Sequence, residues 1–531
     1  MRPTLFASTT LLLAVVIVMA GCAPADSPVP SPQATEPSPK ETASPSAPPT
    51  AAPPTGPQGE ITMALSNDPV SFEVMQDAFG DVNLRMVAEN IYETLVTRDP
   101  ETMEIVPSLA ESWEQVDETT WRFTLRKGVT FHNGEDYDAD AVVFSVQRQT
   151  NPDLNFSVTP MYYTLLAGAE AVDDYTVDIT TNGYDPLLPA RMCWLQMMPP
   201  EYLTDDPEAH LERPIGTGPY RFVEMAPAQQ IVLEANEDYW GEMPSIARVT
   251  LKPIPEAATA LSALQTGEID FVRDVNPASA DSVPQLASGP GVEFPMMRLQ
   301  TVTGPLADPV ARRALNYAVE REALASVIFG GFARPTGQVA ASGIFGYNPH
   351  VEPYPYDPAM AKDLLAEAGA EGATLRLVCP SEHWLNDREV CQAVASQLQE
   401  IGLDIHLEMV DWNSWIMEII ADPESQPDII YMSQSSELLD ADTNLSSYFS
   451  QQYSIAANWD DPTLNELMAR EKVEPDPTVR EELLQQALEH AHNEAPFLFL
   501  LHADNIYGLA DRLVWSPRLD GRILVSEMSL R

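Results

Sequence analysis

The chain reads as an α/β protein whose second half carries a sheet of parallel strands. Two patterns point there. Between residues 357 and 409, helix-like and strand-like runs alternate with short links, the arrangement that packs helices against a parallel sheet. Before residue 210, short runs that alternate apolar and polar residues mix with helix-like ones, adding half-buried strands. With 44% hydrophobic residues in 531, the chain can bury the cores of two or three domains.

The first 59 residues stand apart from that body. Arg2 precedes an apolar run, Leu11 to Val18, which is too short to span a bilayer as a mature helix. The run ends in Met19-Ala20-Gly21-Cys22, which resembles the lipobox of bacterial lipoproteins. That resemblance implies a signal peptide over 1–22, with Cys22 becoming the lipidated first residue of the mature chain. Residues 23–59 are mostly Pro, Ser, Thr and Ala. Such a segment buries too little apolar surface to offset its ordering entropy, so a disordered stalk stiffened toward polyproline II is expected. A single lipidated cysteine anchors without spanning. The body is therefore expected outside the cytoplasm, tethered to the cell membrane.

Along the body, Ile61 to Leu65 reads as a first strand. Trp121 to Leu125 and Tyr175 to Ile179 alternate as half-buried strands, and Ala139 to Gln149 reads as a helix. Asp308-Pro309 supplies a cap and a proline at the first helical position, and Gly330-Gly331 ends the helical stretch that follows. Asp357-Pro358 repeats the device. Ala361, Leu364, Leu365 and Ala368 then form an apolar stripe that Gly369 stops. A strand near Leu377 follows, then a helix with Val390, Val394, Leu398 and Ile401 on one face, ended by Gly402. Leu403, Ile405, Leu407 and Met409 alternate directly after.

The formal charge of −50 repels nucleic acid and anionic lipid, which excludes DNA or RNA as a partner class and reads as a solvated acidic surface. Besides Cys22 the chain has Cys193, Cys379 and Cys391. Cys379 ends a strand-like run and Cys391 sits in the helix that follows. Three readings stand: a disulfide closing a short loop, two buried thiols, or a zinc site completed by His383. His490 and His492 are two apart and share no helix face, so with His502 they do not build a metal site. No metal and no cofactor is expected.

Four stretches carry a family resemblance. They are Glu89-Asn90-Ile91-Tyr92-Glu93-Thr94-Leu95 through Pro107 to Trp113; Phe123 to Glu135 with Asp140 to Ser145; Pro214-Ile215-Gly216-Thr217-Gly218-Pro219-Tyr220 with Asn236 and Tyr239-Trp240-Gly241; and Val310 to Val319. In this order they resemble the extracellular solute-binding proteins of family 5, the peptide and nickel binding subunits of ABC importers. Gly216-Thr217-Gly218 by itself lacks the residues of a phosphate loop.

The resemblance implies an α/β, two-lobed periplasmic-binding-protein fold of the class II type. It has an extra subdomain in the first lobe and a two-strand hinge. Lobe one is expected over 60–297, lobe two over 298–502, and 503–531 returns to lobe one. The crossings are expected near Met297 to Thr303 and near Phe497 to Asp504, where a few residues absorb closure. In peptide-binding members an aspartate that pairs with the ligand ammonium lies three residues before an Asp-Pro-Asp pattern. The matching run here is Asp440-Ala441-Asp442, and counting back three gives Glu437. Glu437, Asp440 and Asp442 are thus expected at the ligand, with Glu437 as the ammonium partner or, alternatively, an exposed loop carboxylate. Trp412 and Trp415 are expected near the cleft, either stacking on a ligand or packing in the core.

The implied partners are a peptide or other small solute and an ABC permease in the membrane, with the protein acting as a monomer. A hydrolase reading finds no Gly-x-Ser-x-Gly and no His-Glu-x-x-His, so no enzyme is expected. A non-peptide solute, or a sensor on the same fold, remains open.

Overall fold

The computed structural model describes residues 56–67, 72–73, 82–156, 162–381, 383–449 and 459–531. The expected signal peptide, Cys22 and the stalk up to residue 55 lie outside the described residues. No helix among the described residues is long and apolar enough to cross a membrane.

The described chain opens on β1 (Glu60–Leu65), followed by a small hairpin of β2 (Val96–Arg98) and β3 (Ile105–Pro107). A four-stranded antiparallel sheet comes next, built from β4 (Ala110–Asp117), β5 (Thr120–Leu125), β6 (Leu166–Asp173) and β7 (Thr176–Thr181) in the order β4-β5-β7-β6. The helix Ala139–Thr150 packs on it. Asp138 caps that helix by accepting the Asp140 and Ala141 amides, while Val142 and Val146 face the core. The chain then returns beside β1 through β8 (Tyr220–Ala226), β9 (Gln230–Ala235), β10 (Arg248–Pro253), β11 (Phe271–Val272) and β12 (Gln285–Pro290).

The next strand, β13 (Phe294–Leu299), belongs to a different sheet. After β14 (Ala333–Pro335) come β15 (Thr374–Pro380), β16 (Asp404–Val410), β17 (Ile429–Gln434), β18 (Phe497–Phe499) and β19 (Leu501–Leu509). One large sheet runs β12-β19-β11-β1-β10-β9-β8, and a five-stranded one runs β16-β15-β17-β13-β18. In the latter, β15 pairs parallel with β16 and β17, Leu377 opposite Leu407, as the helix–strand rhythm anticipates. Two antiparallel strands, β13 and β18, complete it.

Two capped helices pack on one face of this sheet. Asp308 accepts the Val310 amide at the start of Pro309–Ala318, and Asp357 accepts those of Ala359 and Met360 at the start of Pro358–Glu367. In β13, Met297 and Leu299 enter one core while Phe294 and Met296 enter the other. Arg298 is buried in the same strand, and none of its guanidinium nitrogens has a hydrogen-bond partner.

The chain passes between the two large sheets at residues 291–293 and again at Leu500. The first passage lies just upstream of the expected Met297 to Thr303; the second falls within the expected Phe497 to Asp504. The two connecting segments touch, since the Ala503 amide donates to the Glu293 carbonyl at 3.1 Å. Gly291 permits that approach: a Cβ there would lie 2.8 Å from the Ala503 oxygen.

Candidate functional site

After β17 the backbone turns through Ser435 to Leu439, with Leu439 in the left-handed region (φ 54°), and enters the helix Ala441–Phe449. First-lobe donors converge on this turn. Trp194 Nε1 donates to the Glu437 carbonyl at 3.2 Å, Arg98 Nη2 to the Leu438 carbonyl at 2.5 Å, and the Tyr162 hydroxyl to Glu437 Oε2 at 3.3 Å. Ser435 Oγ donates to the other Glu437 oxygen. Glu437 is half-buried, packed against Tyr162 and Trp194, rather than on an open loop.

Beside it lies a cavity of about 230 Å³. Tyr162, Tyr184, Asp185 and Arg191 line it from the first lobe; Leu438, Asp442, Thr443, Glu471, Lys472 and Arg480 line it from the second. Arg191 donates to Asp185 at 2.9 Å and to the Tyr162 carbonyl. Burial pulls the Arg191 guanidinium down, but Asp185 and then Asp442 outweigh it and hold the cation firmly charged.

All three carboxylates expected at the ligand have partners within the protein, and Glu437 stands beside the cavity without lining it. Asp440 does not line the cavity. Arg480 takes both its oxygens, Nη1 to Oδ2 at 2.7 Å and Nη2 to Oδ1 at 2.9 Å, and the Asp442 amide adds a third bond. Its role here is to fix Arg480, whose Nε donates to Glu471 at 3.1 Å. Asp442 does line the cavity. It accepts Ser446 Oγ at 2.6 Å, and Lys472 Nζ lies 3.8 Å away.

Asp442 and Glu471 form a proton-sharing pair. Burial and the Asp442 charge push the Glu471 carboxyl far above the usual range, against the pull of Arg480. For Asp442 burial acts upward too, but Lys472, the Glu471 hydrogen bond and Ser446 prevail and hold it low. Two carboxylates this close in a buried site do not both ionise, so Glu471 keeps the proton and donates it to Asp442.

Trp412 and Trp415 do not line the cavity. Trp415 is buried, donating to the Tyr431 carbonyl at 2.9 Å. Trp412 stacks on it at 4.7 Å and on His383 at 3.6 Å, with Trp384 edge-on. The core-packing alternative describes Trp415, whereas Trp412, 37% exposed, covers it from outside. Cys379 and Cys391 form a disulfide, so neither offers a thiolate to a metal with His383. No cluster that could hold a metal ion occurs among the described residues.

The cavity's other residues escaped the sequence reading. Arg480 left one trace: with Leu483, Leu484, Ala487 and Leu488 it falls on the apolar face of the helix Pro477–Glu494, an unusual place for an arginine unless it is paired. Tyr162, Tyr184 and Arg191 left none, because their meaning depends on a lobe nearly three hundred residues away.

Comparison with known proteins places this geometry. The model of the bacterial extracellular solute-binding proteins, family 5 (middle region), matches residues 104–455. Heme-binding protein A of Haemophilus influenzae is 27% identical over 485 residues, covering 82% of this chain and 85% of that one. The dipeptide-binding protein of Escherichia coli K12 is 28% identical over 450 residues, covering 78% and 84%. The ABC transporter-associated periplasmic binding protein DppA of Helicobacter pylori, solved with the peptide STSA, superposes with a TM-score of 0.74 at 26% identity, covering 89% and 98%. The fold is thus that of the periplasmic binding proteins, and the family is one of binding proteins rather than enzymes. With its two sheets, double crossing and enclosed cavity, the chain belongs to the bacterial extracellular solute-binding proteins of family 5.

Proposed function

We propose that this protein is the solute-binding subunit of an ABC importer. It captures dipeptides or short oligopeptides between its lobes and hands them to a membrane permease. In this reading Cys22 carries a lipid that holds the protein at the membrane, 23–59 is the tether, and the lobes divide at the crossings near 291–293 and 500. Each protein acts as a monomer. The observation that carries the peptide reading is Glu437: a half-buried carboxylate beside the cavity, adjoining the lining residue Leu438, three residues before Asp440 as the family resemblance asks of an ammonium partner. Enclosed there, it gives a ligand ammonium a charge-assisted hydrogen bond worth about 1.5–3 kcal/mol. The dipeptide-binding and peptide-bound relatives support the same class of solute.

Binding at such a junction favours the closed form by the ligand's differential affinity for it. The test is mass spectrometry of the solute released on denaturing gently purified protein. Short peptides with free amino termini are expected; a metal chelate or a heme alone would turn the reading to a non-peptide solute on the same fold.

A further inference from the structure

Both arginines of the cavity are engaged by protein acceptors, while two of its buried oxygens receive no hydrogen from a protein donor. Arg191 is held by Asp185 and the Tyr162 carbonyl, and Arg480 by Asp440 and Glu471. Glu471 Oε1 and Thr443 Oγ1, by contrast, are buried and receive no N–H or O–H from a neighbouring group, and Glu471, which pairs with Asp442, is wholly buried. Only a proton shared with Asp442 satisfies the Glu471 oxygen.

The charged groups lining the cavity are Asp442 and Asp185 against Arg480, Lys472 and Arg191, with Asp440 behind Arg480, Glu437 on Tyr162, and Tyr162 and Tyr184 neutral. With Glu471 protonated, an added cation leaves the charge of the cavity unchanged only if Glu471 ionises as it enters. The approach is acidic as well. Tyr184 also borders an outer groove lined by Asp117, Glu118 and Val473.

We propose that this cavity is a subsite for a second cationic group of the solute, an ammonium or guanidinium, which lodges among Asp442, Thr443 and Glu471 and displaces their shared proton to solvent. The cation enters, one proton leaves Glu471 for the buffer, and the charge of the cavity is unchanged. The identity of the solute as a peptide bearing a Lys or Arg side chain rests on the function proposed above; the subsite itself does not.

Calorimetric titration at pH 7 in phosphate and in Tris, buffers of unlike ionisation heat, counts the proton. Ala-Lys is expected to bind about tenfold more tightly than Ala-norleucine and to release about one proton that Ala-norleucine does not. Glu471→Gln should abolish the release and erase the preference for lysine. Thr443→Val, at a half-exposed helix position, should weaken Ala-Lys several-fold while the release persists. 1,5-Diaminopentane separates the subsite from the peptide reading: proton release with this diamine when neither dipeptide binds sustains the subsite and removes the peptide. Equal binding of Ala-Lys and Ala-norleucine without proton release overturns the subsite and leaves the peptide reading intact. Absence of proton release with every cation tested, the diamine included, overturns it regardless of what the dipeptides do.

Discussion

Arg480 holds both carboxylate oxygens of Asp440, at 2.7 and 2.9 Å, with each side chain only 6% exposed. This pair joins the helix Pro477–Glu494 to the turn that carries Glu437, and it lends its third donor to Glu471. Removing one member of such a buried network leaves the other charges desolvated and uncompensated.

Arg480→Met should therefore destabilise the protein by about 3 kcal/mol or more. Urea unfolding measures this directly. A midpoint unchanged from wild type would mean the pair contributes nothing to the turn's position.

Arg298 predicts the opposite sign. Its guanidinium sits in the core of the five-stranded sheet without a hydrogen-bond partner, and burial alone pulls it down to about 10. A methionine of similar length keeps the packing and removes the desolvation cost, so Arg298→Met should raise stability by about 1 kcal/mol or more. Thermal unfolding that shows a lower melting temperature for the variant would show that the arginine has a favourable role in the fold.

Two buried histidines set a pH window. Burial drives both His132 and His502 down to about 4, although each ring has a backbone carbonyl within reach. Their folded-state values lie below the unfolded value near 6.5, so the unfolded chain takes up the proton first. Stability is complete above about pH 6.5 and is lost as pH falls toward 4, by at most on the order of 3 kcal/mol for each ring. His502→Phe, which keeps the edge contact with Phe294, should flatten part of that slope. Parallel pH profiles for variant and wild type would remove His502 from the explanation.

The helices and strands were legible where local chemistry decides them. Asp308-Pro309 and Asp357-Pro358 start helices through a side-chain cap and a preset φ, and the alternation around Leu377 and Leu407 becomes a parallel pair. The cavity was legible only in part. The family resemblance around Asp440-Ala441-Asp442 points to Glu437, which stands beside the cavity without lining it, and nothing within that run shows that Arg480 occupies Asp440. Tyr162 meets Glu437 across 275 residues of sequence, a contact that no local pattern encodes. Trp412 and Trp415 illustrate the converse: aromatics near a cleft and aromatics in a core look alike until His383 and Tyr431 are seen against them.

The anchor is tested by partition. Wild-type protein from cells should enter the detergent phase of Triton X-114, and Cys22→Ala should be soluble, secreted or uncleaved. Removing residues 23–59 should leave solute affinity unchanged, since a spacer contributes reach rather than contacts. Wild-type protein that stays wholly aqueous contradicts the lipid.

The most direct measurement is solute affinity for wild type and Glu437→Gln, titrated with a free-amine dipeptide and with its N-acetylated form. Glutamine keeps the shape and removes the charge, so the free amine should lose about tenfold or more in affinity. The acetylated peptide should bind wild type weakly and respond little to the substitution. Equal affinity of the free amine for both proteins would contradict Glu437 as the ammonium partner. If the acetylated peptide also bound wild type as tightly as the free amine, the solute would not be held by an amine at all.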